Sequence, residues 1–132
     1  QQTNSVLRVL QTLQEGKVLN EIINWYNVPT YLPDFVNALE NLINSNALGI
    51  FHVCGSNFIN RYEWALVTAK IFGLNENMIK PINSEILNLA AKRVNVNLSN
   101  EKLFQKTGIK MMGIEEGLKS MKKVNNSKKI TE

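Results

Sequence analysis

The sequence predicts an α/β unit in which helices pack around a few short strands. Amphipathic segments with apolar residues three and four apart alternate along the chain with short apolar runs bounded by glycine or proline. The chain has 132 residues, of which 44% are hydrophobic and 20% charged. This length and composition suit one domain with a core of its own, built from packed layers of helix and strand.

The first half of the chain predicts two helices and two strands. The stretch "SVLRVLQTLQEG" predicts a helix with one apolar face (Val6, Leu10, Leu13) that ends near Gly16. "VLNEII" predicts a short strand. "PDFVNALENLI" predicts a helix with Pro33 in its first turn and an apolar stripe formed by Phe35, Val36, Leu39, Leu42 and Ile43. "GIFHVCG", bounded by glycines, predicts a buried strand.

The second half predicts three helices and one extended piece. Asn60 is a good N-cap residue, Glu63 follows at the spacing of a capping box, and Gly73 ends the helix. The inner stripe of this helix is Tyr62, Ala65, Leu66 and Ala69. "KPI" predicts a short extended piece, and "SNEKLFQKTG" and "IEEGLKSMKK" predict two more helices. The last one carries its acidic residues early and its lysines late, as the helix dipole favours.

Composition narrows the class of protein. No apolar run approaches the roughly 18 residues that a membrane span needs, and the polar opening "QQTNS" is unlike a signal peptide. A single cysteine, Cys54, excludes an internal disulfide and favours a reducing compartment, so we expect a cytoplasmic protein. The chain does not begin with methionine, which is consistent with a piece of a longer protein.

The net charge of +4 is concentrated towards the end of the chain, in "KSMKKVNNSKKITE". A basic patch can bind nucleic acid. These lysines have no aromatic residues between them and run into Asn and Ser, which favours a solvated tail. We therefore divide the chain into a domain at residues 1–123 and a basic, frayed tail at residues 124–132, and we do not expect a nucleic-acid partner.

The sequence contains no self-contained catalytic motif. Its seven glycines are scattered and form no dinucleotide-binding or phosphate-binding loop. One histidine cannot supply a metal cluster, so we expect no metal site. On a strand, His52 and Cys54 would share a face and could form a thiol–imidazole pair. The favoured alternative is a packed strand next to a glycine turn.

Several stretches in a fixed order resemble a known family. They are "LQEGK", "NVPTYLPDFVNALENLI", "GIFHVCGS", "YEWALVTAKIFGL", "KPI", "KRVNVNLSNEKL" and "IEEGLKSM". Together they resemble the C-terminal, substrate-binding half of dTDP-4-dehydrorhamnose reductases, which are extended short-chain dehydrogenases/reductases. The resemblance runs from about residue 4 to residue 123. The β subunit of methionine adenosyltransferase shares the pattern, so a non-catalytic regulatory or interaction module is the alternative.

The resemblance implies that the N-terminal half of such an enzyme binds the cofactor and the C-terminal half binds the substrate. Such enzymes reduce a 4-keto-6-deoxy sugar nucleotide in rhamnose biosynthesis, with NADPH or NADH held by an N-terminal Rossmann domain that carries a Tyr-x-x-x-Lys pair. The glycine fingerprint is absent from this sequence. The Tyr-x-x-x-Lys pair is absent too, because the residues four positions after the three tyrosines are Thr30, Phe35 and Leu66. We therefore expect no catalytic residue and no cofactor in this chain, and no activity when it is alone. The missing Rossmann half would leave an apolar surface, which could support self-association.

The proline corner "NVPTY" is the first candidate for substrate binding. Pro29 restrains its own backbone and that of Val28, which would fix the directions of Asn27 and Thr30. By resemblance, the family's "(S/N)-P-T-Y" segment lies near the substrate cleft, and Pro29, Thr30 and Tyr31 match it closely. The alternative is a turn in which Thr30 or Asp34 only satisfies helix amides.

Arg93 is the second candidate. A planar guanidinium suits a diphosphate, which it can bind with two hydrogen bonds. By resemblance, "RVNVNLSNEKL" matches the family segment Arg-Pro-x-x-Ser/Thr-x-Leu, whose arginine lies towards the nucleotide-sugar. This chain departs from that segment at Val94, in place of proline, and at Asn97, in place of the hydroxyl residue. The alternative is a surface arginine beside Lys92.

Aromatic residues near the corner offer a further hypothesis. Trp25 and Tyr26 could stack on a nucleotide base, although partly buried packing is the more frequent role of such residues. For Trp64, on the helix after Asn60, we favour packing or an interface. The predicted substrate-binding residues are therefore Asn27, Pro29, Thr30, Tyr31 and Arg93.

Overall fold

A computed structural model describes the backbone of residues 4–91 and 93–129, with side chains as far as Val124. The described residues form five α-helices and four short strands. The helices are α1 (Ser5–Gln14), α2 (Leu32–Asn44), α3 (Arg61–Phe72), α4 (Glu101–Thr107) and α5 (Ile114–Lys129). The strands are β1 (Leu19–Ile22), β2 (Tyr26–Asn27), β3 (Ile59–Asn60) and β4 (Ile79–Ile82). The predicted α/β class with helices around a few short strands is confirmed.

The strands form two separate pairs. β1 and β4 are parallel, with Leu19 opposite Ile79 and Ile22 opposite Ile82. β2 and β3 are antiparallel, with Tyr26 opposite Asn60. The predicted strand "VLNEII" and the extended piece "KPI" are both present, and the structure shows that they are neighbours in one sheet.

Two apolar clusters make up the core. The larger lies where α1 and α3 cover the β1–β4 pair, and its buried members are Val9, Leu13, Leu19, Ala65, Ala69 and Ile79. Small residues on α3 let this helix approach the sheet closely, and Tyr62 and Leu66 pack at its edge. The smaller cluster joins α2 to α4 and the segment before α5, through Ala38, Leu103 and Met111.

The helix termini follow the predicted signals. The Asn60 side chain accepts a hydrogen bond from the backbone N–H of Glu63 at 2.8 Å, so it caps α3. Gly73 and Gly108 adopt left-handed backbone at the ends of α3 and α4. α5 begins with Glu115 and Glu116 in its first turn.

The predicted strand "GIFHVCG" is wrong. Residues 49–55 have no ladder partner within the described residues, and Ile50 is 80% exposed. Side chains take the place of a neighbouring strand. Lys102 Nζ donates to the carbonyl of Ile50 at 2.7 Å, and Asn100 Nδ2 donates to that of Cys54 at 2.9 Å. An apolar run becomes a strand only where another strand pairs with it, and here loop and helix side chains occupy those positions.

The apolar residues of α2 do not all face the core. Ala38 is buried and Leu42 packs against the smaller cluster. An outer stripe four, three and four residues apart is exposed, and it consists of Leu32 (69%), Val36 (56%), Leu39 (44%) and Ile43 (66%). We call these four residues the outer stripe of α2. Apolar surface of this kind usually marks an interface.

At its C-terminal end, α5 runs as far as Lys129, so the backbone of residues 124–129 continues the helix. The division between a domain at 1–123 and a tail at 124–132 stays a prediction, and residues 130–132 lie outside the described part. None of the described helices combines the length and the apolar character needed to cross a membrane.

Candidate binding site

The structure brings two of the predicted site residues into direct contact. Arg93 Nη2 donates a hydrogen bond to Asn27 Oδ1 at 3.1 Å, although the two residues are 66 positions apart. Asn27 ends β2, and Arg93 lies in the exposed segment that follows β4. Lys92, which precedes Arg93, lies outside the described residues.

Trp25 completes this arrangement. The guanidinium carbon of Arg93 lies 4.9 Å from the centre of the Trp25 ring, the geometry of a cation–π contact. Trp25 and Asn27 are two residues apart along an extended backbone, so their side chains point to the same side. Tyr26 points to the other side, where its ring lies 5.2 Å from that of Phe58. We call Trp25, Asn27 and Arg93 the arginine cluster.

Asparagines attach the Arg93 segment to β2. Asn95 Oδ1 accepts the backbone N–H of Tyr26 at 2.9 Å, and Asn95 Nδ2 donates to the carbonyl of Asn24 at 3.4 Å. The Asn24 side chain is itself held by the residues after β4, because Asn24 Nδ2 donates a hydrogen bond to Asn83 Oδ1 at 3.1 Å. The Ser84 amide donates to Asn24 Oδ1 at 3.0 Å.

Thr30 at the proline corner has a structural partner. Its hydroxyl oxygen accepts the backbone N–H of the buried Gly55 at 3.2 Å. Asp34 Oδ2 likewise accepts the backbone N–H of Met112 at 2.7 Å. The alternative in which Thr30 or Asp34 only satisfies helix amides does not describe these contacts, because the Gly55 and Met112 amides lie outside the helices and α2 has no side-chain cap.

Pro29, Thr30 and Tyr31 form part of the wall of an open groove of about 450 Å³. The rest of the wall comes from the start of α1, Leu32 of α2, Trp64 of α3, and the end of the segment before α5 together with the first turns of that helix. Tyr31 packs on Gly117, where an added Cβ would lie 3.3 Å from Tyr31 Cβ. Of the five predicted site residues, Asn27 and Arg93 belong to the arginine cluster, and Pro29, Thr30 and Tyr31 line the groove. Asn27 and Pro29 are two residues apart in the sequence.

Asn95 and Asn24 were missed by the sequence analysis. Single asparagines carry no periodic signal. The partners of Asn95 are backbone groups 69 and 71 positions away, and those of Asn24 are the Asn83 side chain and the Ser84 amide, 59 and 60 positions away. The one hint is local, because Asn95 lies two residues after Arg93.

His52 and Cys54 do not form the thiol–imidazole pair considered above. Cys54 is buried and its Sγ donates to the carbonyl of Leu98 at 3.5 Å, whereas His52 is exposed. Burial raises the pKa of the Cys54 thiol, which disfavours the reactive thiolate. Among the described residues there is also no group of three or more His, Cys, Asp or Glu side chains that could hold a metal ion.

The described glycines form no dinucleotide-binding loop: Gly16, Gly73 and Gly108 have open space around them, but they follow the C-terminal ends of helices. Where a glycine is approached closely, protein atoms fill the space: the Pro29 carbonyl lies against Gly55, and the Asn57 side chain lies against Gly113. A dinucleotide-binding loop needs that space for a pyrophosphate at a helix N-terminus. We therefore derive no step through a nicotinamide cofactor for these residues.

The fold and the site define a small α/β domain in which an exposed arginine, Arg93, lies over the ring of Trp25. This arrangement suits an anionic ligand. Within that class, the chain belongs to the family described as the RmlD substrate binding domain, whose model matches residues 1–126. The resemblance found in the sequence is therefore confirmed at the level of the family. A comparison with curated proteins gives no match.

Solved structures share the fold. A dTDP-4-dehydrorhamnose reductase from Clostridium acetobutylicum ATCC 824 is 20% identical with a TM-score of 0.82, covering 95% of this chain and 45% of that one. The enzyme of the same name from Bacillus anthracis str. Ames, solved with NADP, is 21% identical with a TM-score of 0.75, covering 91% and 43%. That from Yersinia enterocolitica is 17% identical with a TM-score of 0.73, covering 91% and 42%. The chain spans less than half of the length of these structures, and at these identities the likeness establishes the fold.

Proposed function

We propose that this chain is the nucleotide-sugar-binding part of a dTDP-4-dehydrorhamnose reductase-like oxidoreductase. In the full-length enzyme it would contribute to the NAD(P)H-dependent reduction of a 4-keto-6-deoxy sugar nucleotide in rhamnose biosynthesis. The observation that carries the proposal is the arginine cluster, in which Arg93 is bonded to Asn27 and lies over Trp25. Family membership supports the same assignment.

Arg93 would bind the diphosphate of the sugar nucleotide. A guanidinium has five N–H donors in a planar fork, and its bond to Asn27 uses one of them. Arg93 is exposed, so the remaining donors can reach a ligand in solution. The Trp25 ring and the Asn27 amide hold the fork in one orientation, which lowers the entropy lost when a diphosphate binds. A role for Trp25 in orienting Arg93 is better supported than the stacking of Trp25 on a base.

The proline corner would form the adjoining wall of the cleft. Pro29 fixes the backbone, and Thr30 is exposed although its oxygen also holds the Gly55 amide. Tyr31 is partly buried against α5 and lines the groove. We propose that Asn27 and Arg93 contact the ligand, and that Pro29, Thr30 and Tyr31 shape the wall beside it.

The hydride donor would be bound elsewhere in the full-length protein. The described glycines form no dinucleotide-binding loop, and the solved relatives are more than twice as long as the part that this chain matches. We propose that a Rossmann half supplies NADPH or NADH and packs against exposed apolar surface such as the outer stripe of α2. The unpaired Cys54 supports a reducing, cytoplasmic location.

Titration of the ¹⁵N-labelled chain with dTDP-glucose tests the binding proposal. We expect shifts of the Arg93 side-chain and Asn27 signals. Charge-assisted hydrogen bonds contribute about 1.5–3 kcal/mol each, so Arg93→Ala should weaken binding by about 10- to 100-fold. Arg93→Lys should restore only part of the affinity, because an ammonium cannot reproduce the fork.

Lys106→Ala serves as the control, because it removes an exposed positive charge from α4. Equal losses for Lys106→Ala and Arg93→Ala would point to non-specific attraction of the diphosphate and would contradict the proposal. No response up to millimolar dTDP-glucose would favour the alternative, a regulatory or interaction module of the same fold.

A further inference from the structure

We propose that Asn95 is a positioning residue for Arg93, which rests on the binding role proposed above. Its side-chain amide contacts the backbone on both sides of Trp25. Oδ1 accepts the N–H of Tyr26 at 2.9 Å, and Nδ2 donates to the carbonyl of Asn24 at 3.4 Å.

This pair of bonds copies the pattern of a parallel β-ladder. In such a ladder one residue donates to the carbonyl before its partner and accepts from the amide after it. The primary amide of Asn95 does both with Trp25 as the partner, so it acts as a single peptide group of an added strand. Trp25 is also the ring over which Arg93 lies. Asn95 thus holds the backbone on both sides of Trp25, and the Trp25 ring lies against the Arg93 guanidinium.

Besides the hydrogen bonds of Arg93 and Asn95, the Arg93 segment has one further hydrogen bond to a distant part of the described chain, in which the Leu98 carbonyl accepts from Cys54 Sγ at 3.5 Å. Residues 93–99 form no helix or strand, and Val94 is 77% exposed. The chain between β4 and Arg93 is held at its start by the Asn24 side chain, which forms hydrogen bonds with the Asn83 side chain and with the Ser84 amide. Asn95 ties the second end, two residues after Arg93. Without it, the guanidinium would keep one exposed hydrogen bond and one ring contact to hold it in place.

Val94, which follows Arg93, leaves the backbone less restrained than a proline at that position would. The family segment that the chain resembles has a proline after the arginine, and here Val94 stands at that position. A proline would restrict the backbone through its ring, whereas valine leaves it freer. Asn95 supplies the restraint through hydrogen bonds to β2.

The first measurement needs no ligand. We expect Asn95→Ala to lower the heteronuclear NOE of the Arg93 Nε–Hε group to the value of a mobile, exposed arginine. Asn97→Ala is the matched control: Asn97 lies in the same exposed segment, makes no hydrogen bond with the described residues, and should leave the NOE unchanged. Asn95→Gln, which keeps the amide but displaces it by one methylene, should also lower the NOE, and it replaces the alanine variant should that one fail to fold.

The second measurement is the affinity for dTDP-glucose. Loss of one or two ordinary hydrogen bonds corresponds to a roughly 3- to 10-fold increase in Kd for Asn95→Ala. Because Asn95 acts through Arg93, Asn95→Ala should add nothing to the loss caused by Arg93→Ala in the double variant. An additive effect would overturn the inference, and so would an Arg93 NOE that does not depend on Asn95. A wild-type chain that does not bind dTDP-glucose would refute the proposed function, while a lowered Arg93 NOE in Asn95→Ala would still support positioning.

Discussion

The carbonyl oxygen of Pro29 lies against Gly55 so closely that a Cβ atom added to Gly55 would overlap it. The Met112 carbonyl is the next obstacle, at 3.3 Å from the same added atom. Gly55 is therefore required for steric reasons, and it joins the proline corner to the segment before α5.

Gly55→Ala should destabilise the fold by about 3 kcal/mol, because both obstacles are backbone atoms that cannot rotate away. Urea unfolding followed by tryptophan fluorescence measures the loss. Gly16→Ala is the control, since an added Cβ there meets nothing within 4 Å and only the left-handed backbone, with φ of +70°, opposes it. That strain amounts to about 1 kcal/mol. Similar losses for the two variants would contradict the close contact.

Thr30 should matter first for stability. Thr30→Val removes the acceptor of the buried Gly55 amide and should lower the free energy of unfolding by about 1–3 kcal/mol. Thr30→Ser keeps an oxygen at the same position and should lose much less. The two variants separate the contribution of the Thr30 hydroxyl to stability from that of its methyl group. Equal unfolding curves for the valine and serine variants would contradict the hydrogen bond between the Gly55 amide and the Thr30 hydroxyl.

Cys54 should react slowly and impose a pH dependence. Burial raises the pKa of its thiol in the folded chain above the ordinary range near ~8.5. The folded state thus holds the proton more tightly than the unfolded state, so stability falls as the pH rises through that range and on towards the folded pKa. Alkylation by iodoacetamide between pH 7 and 10 should be slower in the native chain than in urea.

A Cys54→Ala variant provides the control for this pH dependence. Its stability should not show the fall attributed to the thiol at alkaline pH. Equal alkylation rates for the native and the unfolded chain would show that the thiol is accessible and would contradict its burial.

The outer stripe of α2 should cause self-association when no other domain covers it. Light scattering should show the average mass of the chain rising with concentration, and Val36→Lys should reduce that rise. Val124→Lys is a matched control, because Val124 on α5 is 49% exposed, close to the 56% of Val36. A monomer at every concentration would contradict this prediction.

Local signals in the sequence were sufficient for most of the helices and for one pair of strands. The Asn60 cap, the glycines at 73 and 108 and the apolar faces of α1 and α3 act within a few residues, so their pattern is readable. "GIFHVCG" was mispredicted because strand formation depends on a partner elsewhere in the chain. The α2 helix was predicted, but its apolar pattern could not tell which of its two apolar faces lies against this domain.

For the candidate site, the proline corner selected Asn27 and the resemblance selected Arg93, and the structure adds that the two side chains form a hydrogen bond with each other. The contribution of Trp25 was open between base stacking and packing, and the structure adds a cation–π contact with Arg93. The Asn95 amide could not be predicted, because its partners are backbone groups whose positions depend on the completed fold.

The parallel pairing of β1 with β4 has a consequence for the order of folding. It joins residues 60 positions apart, and β4 leads directly into the segment that carries Arg93. Closing so long a loop is slow compared with forming a helix, and parallel pairing gains stability only once the loop has closed. We therefore expect the hydrogen bond between Arg93 and Asn27, which are 66 positions apart, to form late in folding.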